Sequence, residues 1–366
     1  MECKRYLPPK QLDQFLSQFD SSSKSTLGFS VQNRPIEMLK IGSGPYKILM
    51  WSQMHGNEST TTKALIDLIP WLLGAKQKRF LAAFTLYIIP QLNPDGSHLY
   101  TRHNANNVDL NRDAINKSQP ESRVLRSIYE KIKPNLCLNL HGQRTIYSAG
   151  KGGASASISF LAPAADFERN NTTARQKAMQ LIAAMVEALS NELPNAIGRY
   201  DDTFNPNCVG DSFTQAGTPT ILFEAGHVPH DYQREKARAH MLNAFKALFE
   251  SLLNPKESIK REDYFKIPQN QIEFCDLIVS HVTVLDGGDE IKDQQLAIQY
   301  QETLVGERIV FLPIMLSYGS EIELRAHNYV KLSPSFQAIG LRFEEEKLIK
   351  NSIFTEEFAL KRQKTR

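Results

Sequence analysis

The sequence predicts an α/β fold followed by a small β-rich module, and three observations carry that prediction. Short apolar runs alternate with longer segments of helical period as far as residue 253. His55, His141 and Glu224 each lie just past the end of one of those runs, where open α/β sheets carry their sites. Beyond Leu253 the pattern changes to short strand-like runs separated by polar turns.

Taken in order, Leu12 to Phe19 is amphipathic, with Leu12, Phe15, Leu16 and Phe19 on one face, which predicts a short helix. Phe29 to Lys40 alternates around Asn33-Arg34-Pro35 and reads as a hairpin. Tyr46 to Trp51 is a buried strand that delivers His55. Ser59 to Leu73 has helical period, with Pro70 placed to kink or shorten it. Phe84 to Ile89 is a strand leading into Asn93-Pro94-Asp95-Gly96. Glu121 to Ile132 is a helix, and Leu136 to Leu140 a strand that delivers His141. Arg175 to Leu193 is a long helix, Pro219 to Phe223 a strand that delivers Glu224, and Arg234 to Leu253 a final helix. The domain organisation follows: residues 1–253 form a catalytic domain, 254–262 a polar linker, 263–350 a β-rich accessory module and 351–366 a basic tail. Within the module, Asp276 to Leu285, Ala297 to Tyr300, Arg308 to Leu312 and Gln337 to Phe343 read as short strands, with a turn at Asp286-Gly287-Gly288.

Composition excludes several function classes. Hydrophobic residues make up 41% and charged residues 23% of the 366, ordinary for a globular chain able to bury a sizeable core. A net charge of +3 is too small to argue for nucleic acid or an anionic membrane surface as partner. The N-terminus has no apolar run behind its charges, and no window has the length and purity of a membrane helix. Cys3, Cys137, Cys208 and Cys275 are widely spread without a C-x-x-C pair, which fits a reducing compartment. The expected location is therefore the cytoplasm.

The chemistry centres on His55-Gly56-Asn57-Glu58. An imidazole and a carboxylate three residues apart, at a strand-to-helix turn, can both face one small ion, and zinc takes both donors. Alone, that pattern also fits a surface histidine and a helix-start glutamate beside the positive end of the helix dipole. His141, at the end of a strand roughly eighty residues on, supplies a third donor. Two near ligands, one distant ligand and a fourth position left to water is the arrangement of catalytic zinc rather than structural zinc. Between them lies Val108-Asp109-Leu110-Asn111-Arg112. Asp109 can accept the spare N–H of a ligating imidazole. Asn111 and Arg112 can reach toward substrate, the guanidinium matching a carboxylate in a two-pronged contact.

H-G-N-E, N-P-D-G with a following arginine, V-D-L-N-R, a strand-end histidine and a later F-E together resemble the zinc carboxypeptidase family, the funnelin metallopeptidases. The order and rough spacing agree across residues 26 to 250, and N-L-H-G-Q-R with L-F-E-A-G-H is more similar to bacterial members. The resemblance implies a mixed, mainly parallel sheet flanked by helices. It also implies one zinc ion per chain on His55, Glu58 and His141. Arg102 is then the arginine that polarises the scissile carbonyl, Asn111 and Arg112 the pair that grips the terminal carboxylate, and Glu224 the general base. The family's mobile tyrosine has Tyr200 as its nearest counterpart by spacing, in a segment that does not align cleanly. The implied substrate is a peptide with a free C-terminal carboxylate.

Two other readings remain open on the residues. Aspartoacylase and succinylglutamate desuccinylase share H-G-N-E and D-L-N-R, which leaves a zinc-dependent N-acyl-amino-acid deacylase or amidase; they usually lack the N-P-D-G present at Asn93 to Gly96. A peptide-binding pseudoenzyme would normally have lost a ligand or the base, whereas all four residues are present.

Overall fold

The computed structural model describes residues 4–286, 289–332 and 341–342. The chain divides into two compact units: residues up to Ile272 with Leu304–Arg308, and Glu273–Thr303 with the described chain from Ile309 onward.

The first unit contains strands β1 (Lys24–Phe29), β2 (Pro35–Ile41), β3 (Tyr46–Ser52), β4 (Phe84–Ile89), β5 (Leu136–Gly142), β6 (Tyr147–Ala149), β7 (Ile158–Leu161), β8 (Ile197–Arg199), β9 (Thr220–Ala225) and β10 (Asn270–Ile272). Its helices are α1 (Pro9–Leu16), α2 (Ser59–Leu73), α3 (Lys78–Ala83), α4 (Pro94–Leu99), α5 (Pro120–Ile132), α6 (Thr173–Leu189), α7 (Val209–Gln215) and α8 (Glu235–Leu253). Eight strands form one mixed sheet in the order β1-β2-β4-β3-β5-β9-β7-β8, and the four central strands, β4, β3, β5 and β9, are mutually parallel. β6 and β10 pair separately.

Alternation along the strands sends side chains to two apolar layers. On one face Ile48, Met50, Leu138, Leu140 and Phe223 pack with α2, α6 and α8. On the other, Leu49, Trp51 and Cys137 pack with Leu125 and Ile128 of α5 and with Val209 and Phe213 of α7. Burial on both faces is why these strands read as unbroken apolar runs.

α2 and β4 occupy the expected residues, and α2 runs through Pro70 without ending there. α1 begins earlier than its periodicity suggests, because Pro9 stands at its first position, where a missing N–H is harmless. α3, α4, α7, β6, β7 and β8 have three to seven residues each, too few to display a period. The first unit also extends beyond the charged stretch at 254–262. Tyr264 is fully buried there and its hydroxyl accepts the Ala162 N–H at 3.1 Å.

In the second unit, β11 (Phe274–Asp286), β12 (Asp289–Val305), β13 (Arg308–Gly319) and β14 (Arg325–Lys331) form a sheet in the order β13-β12-β11-β14, with β15 (Leu341–Arg342) also pairing β11. Leu277, Val279, Val282, Val284, Leu296 and Ile298 form its core. The strands are longer than the stretches read from the sequence: β13 continues past Leu312 through Pro313 to Gly319, half-buried for most of that length. Gly287, Gly288, most of 337–343 and the tail at 351–366 lie outside the described residues. No helix among the described residues is long and apolar enough to cross a membrane.

Candidate metal centre and active site

The carboxyl ends of three neighbouring parallel strands, β3, β5 and β9, assemble the site. After β3 the chain turns sharply through Gln53, which takes the left-handed region at φ +46°. The Gln53 amide holds the turn, donating to the Gly56 carbonyl at 2.8 Å and to Ser97 Oγ at 2.7 Å. A Cβ on Gly56 would lie 2.0 Å from the Gly96 carbonyl carbon, so the glycine lets α4 pack directly against the turn. Asn93 caps α4 by accepting the Gly96 N–H at 2.8 Å and donates to the Met54 carbonyl at 3.2 Å. The N-P-D-G segment is thus the buttress of the H-G-N-E turn. Asp95, fully buried, completes it by accepting Ser30 Oγ at 2.8 Å and the Gln32 N–H at 2.9 Å.

This turn directs His55 and Glu58 at His141. His55 Nδ1 lies 2.9 Å from Glu58 Oε1, and His141 Nδ1 lies 2.9 Å from Glu58 Oε2 and 3.1 Å from His55 Nδ1. All three residues are buried, and they form the one candidate metal cluster among the described residues. Each Nδ1 faces a Glu58 oxygen as well as the other Nδ1, so protons on both nitrogens to serve the carboxylate would point at one another, whereas a divalent cation among them accepts all three donors. Metal–ligand bonds of about 2.0–2.2 Å would separate such donors by roughly 3 Å or slightly more. The donor set therefore fits zinc.

Around the cluster, His55 Nε2 meets Asp109 Oδ1 at 3.0 Å, the carboxylate support expected of a ligating histidine. Arg102 donates to Asp109 Oδ2 from Nε and Nη2 at 3.1 and 3.0 Å, and approaches Glu58 Oε1 at 3.5 Å. Burial opposes ionisation of Glu58 and Asp109, yet the two histidines beside Glu58, and His55 with Arg102 beside Asp109, hold both carboxyls far below the usual range. Burial lowers His141; it also works against His55, but Glu58 and Asp109 outweigh it and raise that imidazole.

Glu224 stands opposite His141 in the β5–β9 register. Burial, reinforced by the Glu58 charge, pushes its carboxyl well above normal, and its Oε2 has no hydrogen-bond partner among the described residues. A half-buried carboxyl with a shielded, spare oxygen and raised proton affinity is suited to exchanging protons. Tyr200 packs edge-on against Tyr147 with ring centres 5.4 Å apart; burial first, then the Glu224 charge, pushes its phenol far up. Asn111 and Arg112 lie at the rim. Asn111 Oδ1 accepts the Val209 N–H at 3.0 Å, while Arg112 Nη1 donates to the Asn111 carbonyl at 2.8 Å and lies 3.0 Å from Cys208 Sγ. The Asn111 oxygen therefore anchors α7, and its amide nitrogen is the group left to reach outward.

Sequence reasoning missed Arg234. Its almost fully buried guanidinium donates to the carbonyls of Ala225 at 3.3 Å, Gln143 at 3.1 Å and Gly226, lacing the exits of β5 and β9 together beside Glu224. An arginine at a helix start has no sequence signature of burial, so nothing in the chain's pattern marks it.

With this geometry in view, the class is clear. The zinc carboxypeptidase family model matches residues 10–202, more than half the chain, and the chain belongs to that family. Over 138 residues it is 31% identical to carboxypeptidase SOL1 of Arabidopsis thaliana, a match taking in 32% of this chain and 28% of that protein. Over 147 residues it is 26% identical to carboxypeptidase D of Rattus norvegicus, covering 32% of this chain and 10% of that one. The matches thus span less than a third of these relatives' lengths. Among solved structures, a metallo-carboxypeptidase from Burkholderia cenocepacia superposes with a TM-score of 0.55 at 20% identity, over 68% of this chain and 70% of that chain. One from Pseudomonas aeruginosa, in complex with (2-guanidinoethylmercapto)succinic acid, gives 0.55 at 18% over the same shares. These likenesses establish the fold.

Proposed function

We propose that this protein is a zinc-dependent metallocarboxypeptidase that hydrolyses the C-terminal amide bond of peptides. The observation that carries the reading is the convergence of His55, Glu58 and His141 beside Glu224, which is half-buried and has a shielded, spare carboxyl oxygen. His55, Glu58 and His141 would hold the zinc, which would supply Lewis acidity and bring the pKa of water toward about 7. Asp109 keeps the His55 ring oriented. Glu224 takes a proton from the attacking water and passes it to the departing amine, a role typically worth about 10²–10⁴-fold. Arg102, already directed at the ligand cluster, stabilises negative charge growing on the carbonyl oxygen, where losing one donor typically costs about 3–4 kcal/mol. Arg112 and the Asn111 amide nitrogen hold the terminal carboxylate, so that attack proceeds within a positioned complex. Tyr200, between Tyr147 and Glu224, lines the same site from β8's exit. The second unit serves as an accessory module. The unpaired Cys137, Cys208 and Cys275 support a cytoplasmic location.

Incubation with a peptide and its C-terminally amidated twin, followed by mass spectrometry, tests the activity. The free acid should lose its last residue, and the amide should react at least about a hundredfold more slowly. Equal rates would remove Asn111 and Arg112 from carboxylate binding, and internal cleavage would replace the reading with an endopeptidase.

A further inference from the structure

The sheet face that presents His141 and Glu224 holds a second polar feature, deeper in the fold. Trp51 of β3 and Asn139 of β5 are register partners, side by side on that face and two residues before the chemistry begins. Asn139 is 1% exposed and Trp51 fully buried. Neither atom of the Asn139 amide, nor the Trp51 indole nitrogen, has a hydrogen-bond partner among the described residues. Buried polar groups are normally satisfied, so three orphaned atoms on two register-paired neighbours mark a region that something polar fills.

The surroundings show what can reach it. Two residues of strand, about 6.6 Å, separate Asn139 from the level of His141, comparable to the reach of a glutamine side chain. α7 covers this region and starts at Val209, which Asn111 Oδ1 anchors at 3.0 Å. Its second residue is Gly210: a Cβ there would lie 3.0 Å from Pro163 Cγ and at an ordinary contact distance of 3.9 Å from Asn139 Nδ2, so α7 presents no side chain to the amide at this position. The spot thus lies between the carboxylate-gripping segment and the strand that carries the base. No charge is offered to a ligand there. Asp211, the acid following Gly210, accepts the backbone N–H groups of Asn205 and Ala164 instead.

We propose that Asn139, assisted by the Trp51 N–H, is the specificity-determining residue for the substrate's last side chain, and that it selects an uncharged primary amide, glutamine before asparagine. The inference rests on the carboxypeptidase reading above. The fit is one of donors and acceptors. Asn139 Oδ1 accepts from the side chain's NH₂, while Asn139 Nδ2 and the indole N–H donate to its carbonyl oxygen. A site built to hydrogen-bond rejects analogues that leave its polar groups unpaired.

The test is kcat/KM for one blocked dipeptide series ending in Gln, Met, Glu or Lys, with zinc-loaded wild type, Asn139→Leu and the near-isosteric Asn139→Asp. Wild type should favour Gln over the similarly sized Met by about a hundredfold or more. Asn139→Leu should invert that ratio, and Asn139→Asp should move the preference toward Lys, with melting curves confirming that the variants fold. A flat or apolar wild-type profile, or a Gln-to-Met ratio that neither substitution moves, would overturn the assignment and leave a trapped water as the partner of these atoms. Release of no C-terminal residue from any member of the series would instead overturn the carboxypeptidase reading, and the pocket with it.

Discussion

Glu224 and Asp211 are both carboxyls with raised proton affinity, yet their surroundings give them different roles. Glu224 has a spare oxygen and faces the ligand cluster. Its replacement by Gln should reduce hydrolysis by about 10²–10⁴-fold while metal analysis still finds one zinc per chain. An unchanged rate would take Glu224 out of the mechanism. Asp211 is turned to backbone N–H groups, and burial pushes it from 3.8 up to about 7. The folded chain therefore holds that proton more tightly than the unfolded chain. The resulting stability is fully present below pH 4 and is lost as pH rises through about 7. Asp211→Asn cannot ionise, so its melting temperature relative to wild type should rise between pH 4 and pH 8. Parallel melting curves for the two proteins would show that Asp211 does not titrate in this window. His55, Glu58, His141 and Asp109 were legible as residues because ligand chemistry limits the side-chain types and imposes short spacings. Asn139 and Arg234 were not legible, since what distinguishes them is burial and the partners around them.

Among the elements, the turn between β3 and α2 matters most. It is held by Gln53 from within and by α4 from outside, which packs against Gly56 so closely that a Cβ would meet backbone at 2.0 Å. Gly56→Ala must push α4 away. It should destabilise the fold by about 1–3 kcal/mol or more and weaken zinc retention, read by melting and by metal content after dialysis. Wild-type behaviour in both would mean that the turn adapts without α4. Elements with many residues and one repeating face, such as α2, α5 and α8, were legible from periodicity alone. α4 and α7 have six and seven residues, and both support the site. Their existence depends on what they pack against, which no local pattern records. The N-P-D-G motif was legible as a motif but not as a helix: the Asn93 cap that starts α4 shows only in the fold.

At the level of the whole molecule, the candidate metal donors come from two distant segments, so metal binding and folding of the first unit should be coupled. Zinc at about a thousand times its dissociation constant should add about 4 kcal/mol of stability. A chelator should lower the melting temperature of wild type and leave a His55→Ala/His141→Ala double variant unmoved; an equal response from both would place the metal elsewhere. The sequence by itself determined the α/β class, the central strands and the candidate metal donors, because apolar periodicity and ligand chemistry are local properties of a chain. Only the tertiary structure decided that β3, β5 and β9 are neighbours, that residues up to Ile272 join the first unit, and that Trp51 and Asn139 lie unsatisfied beneath the site. Those facts follow from which strand pairs with which, and from what each side chain finds when it is buried. Pairing and burial are fixed by contacts between residues far apart in the chain.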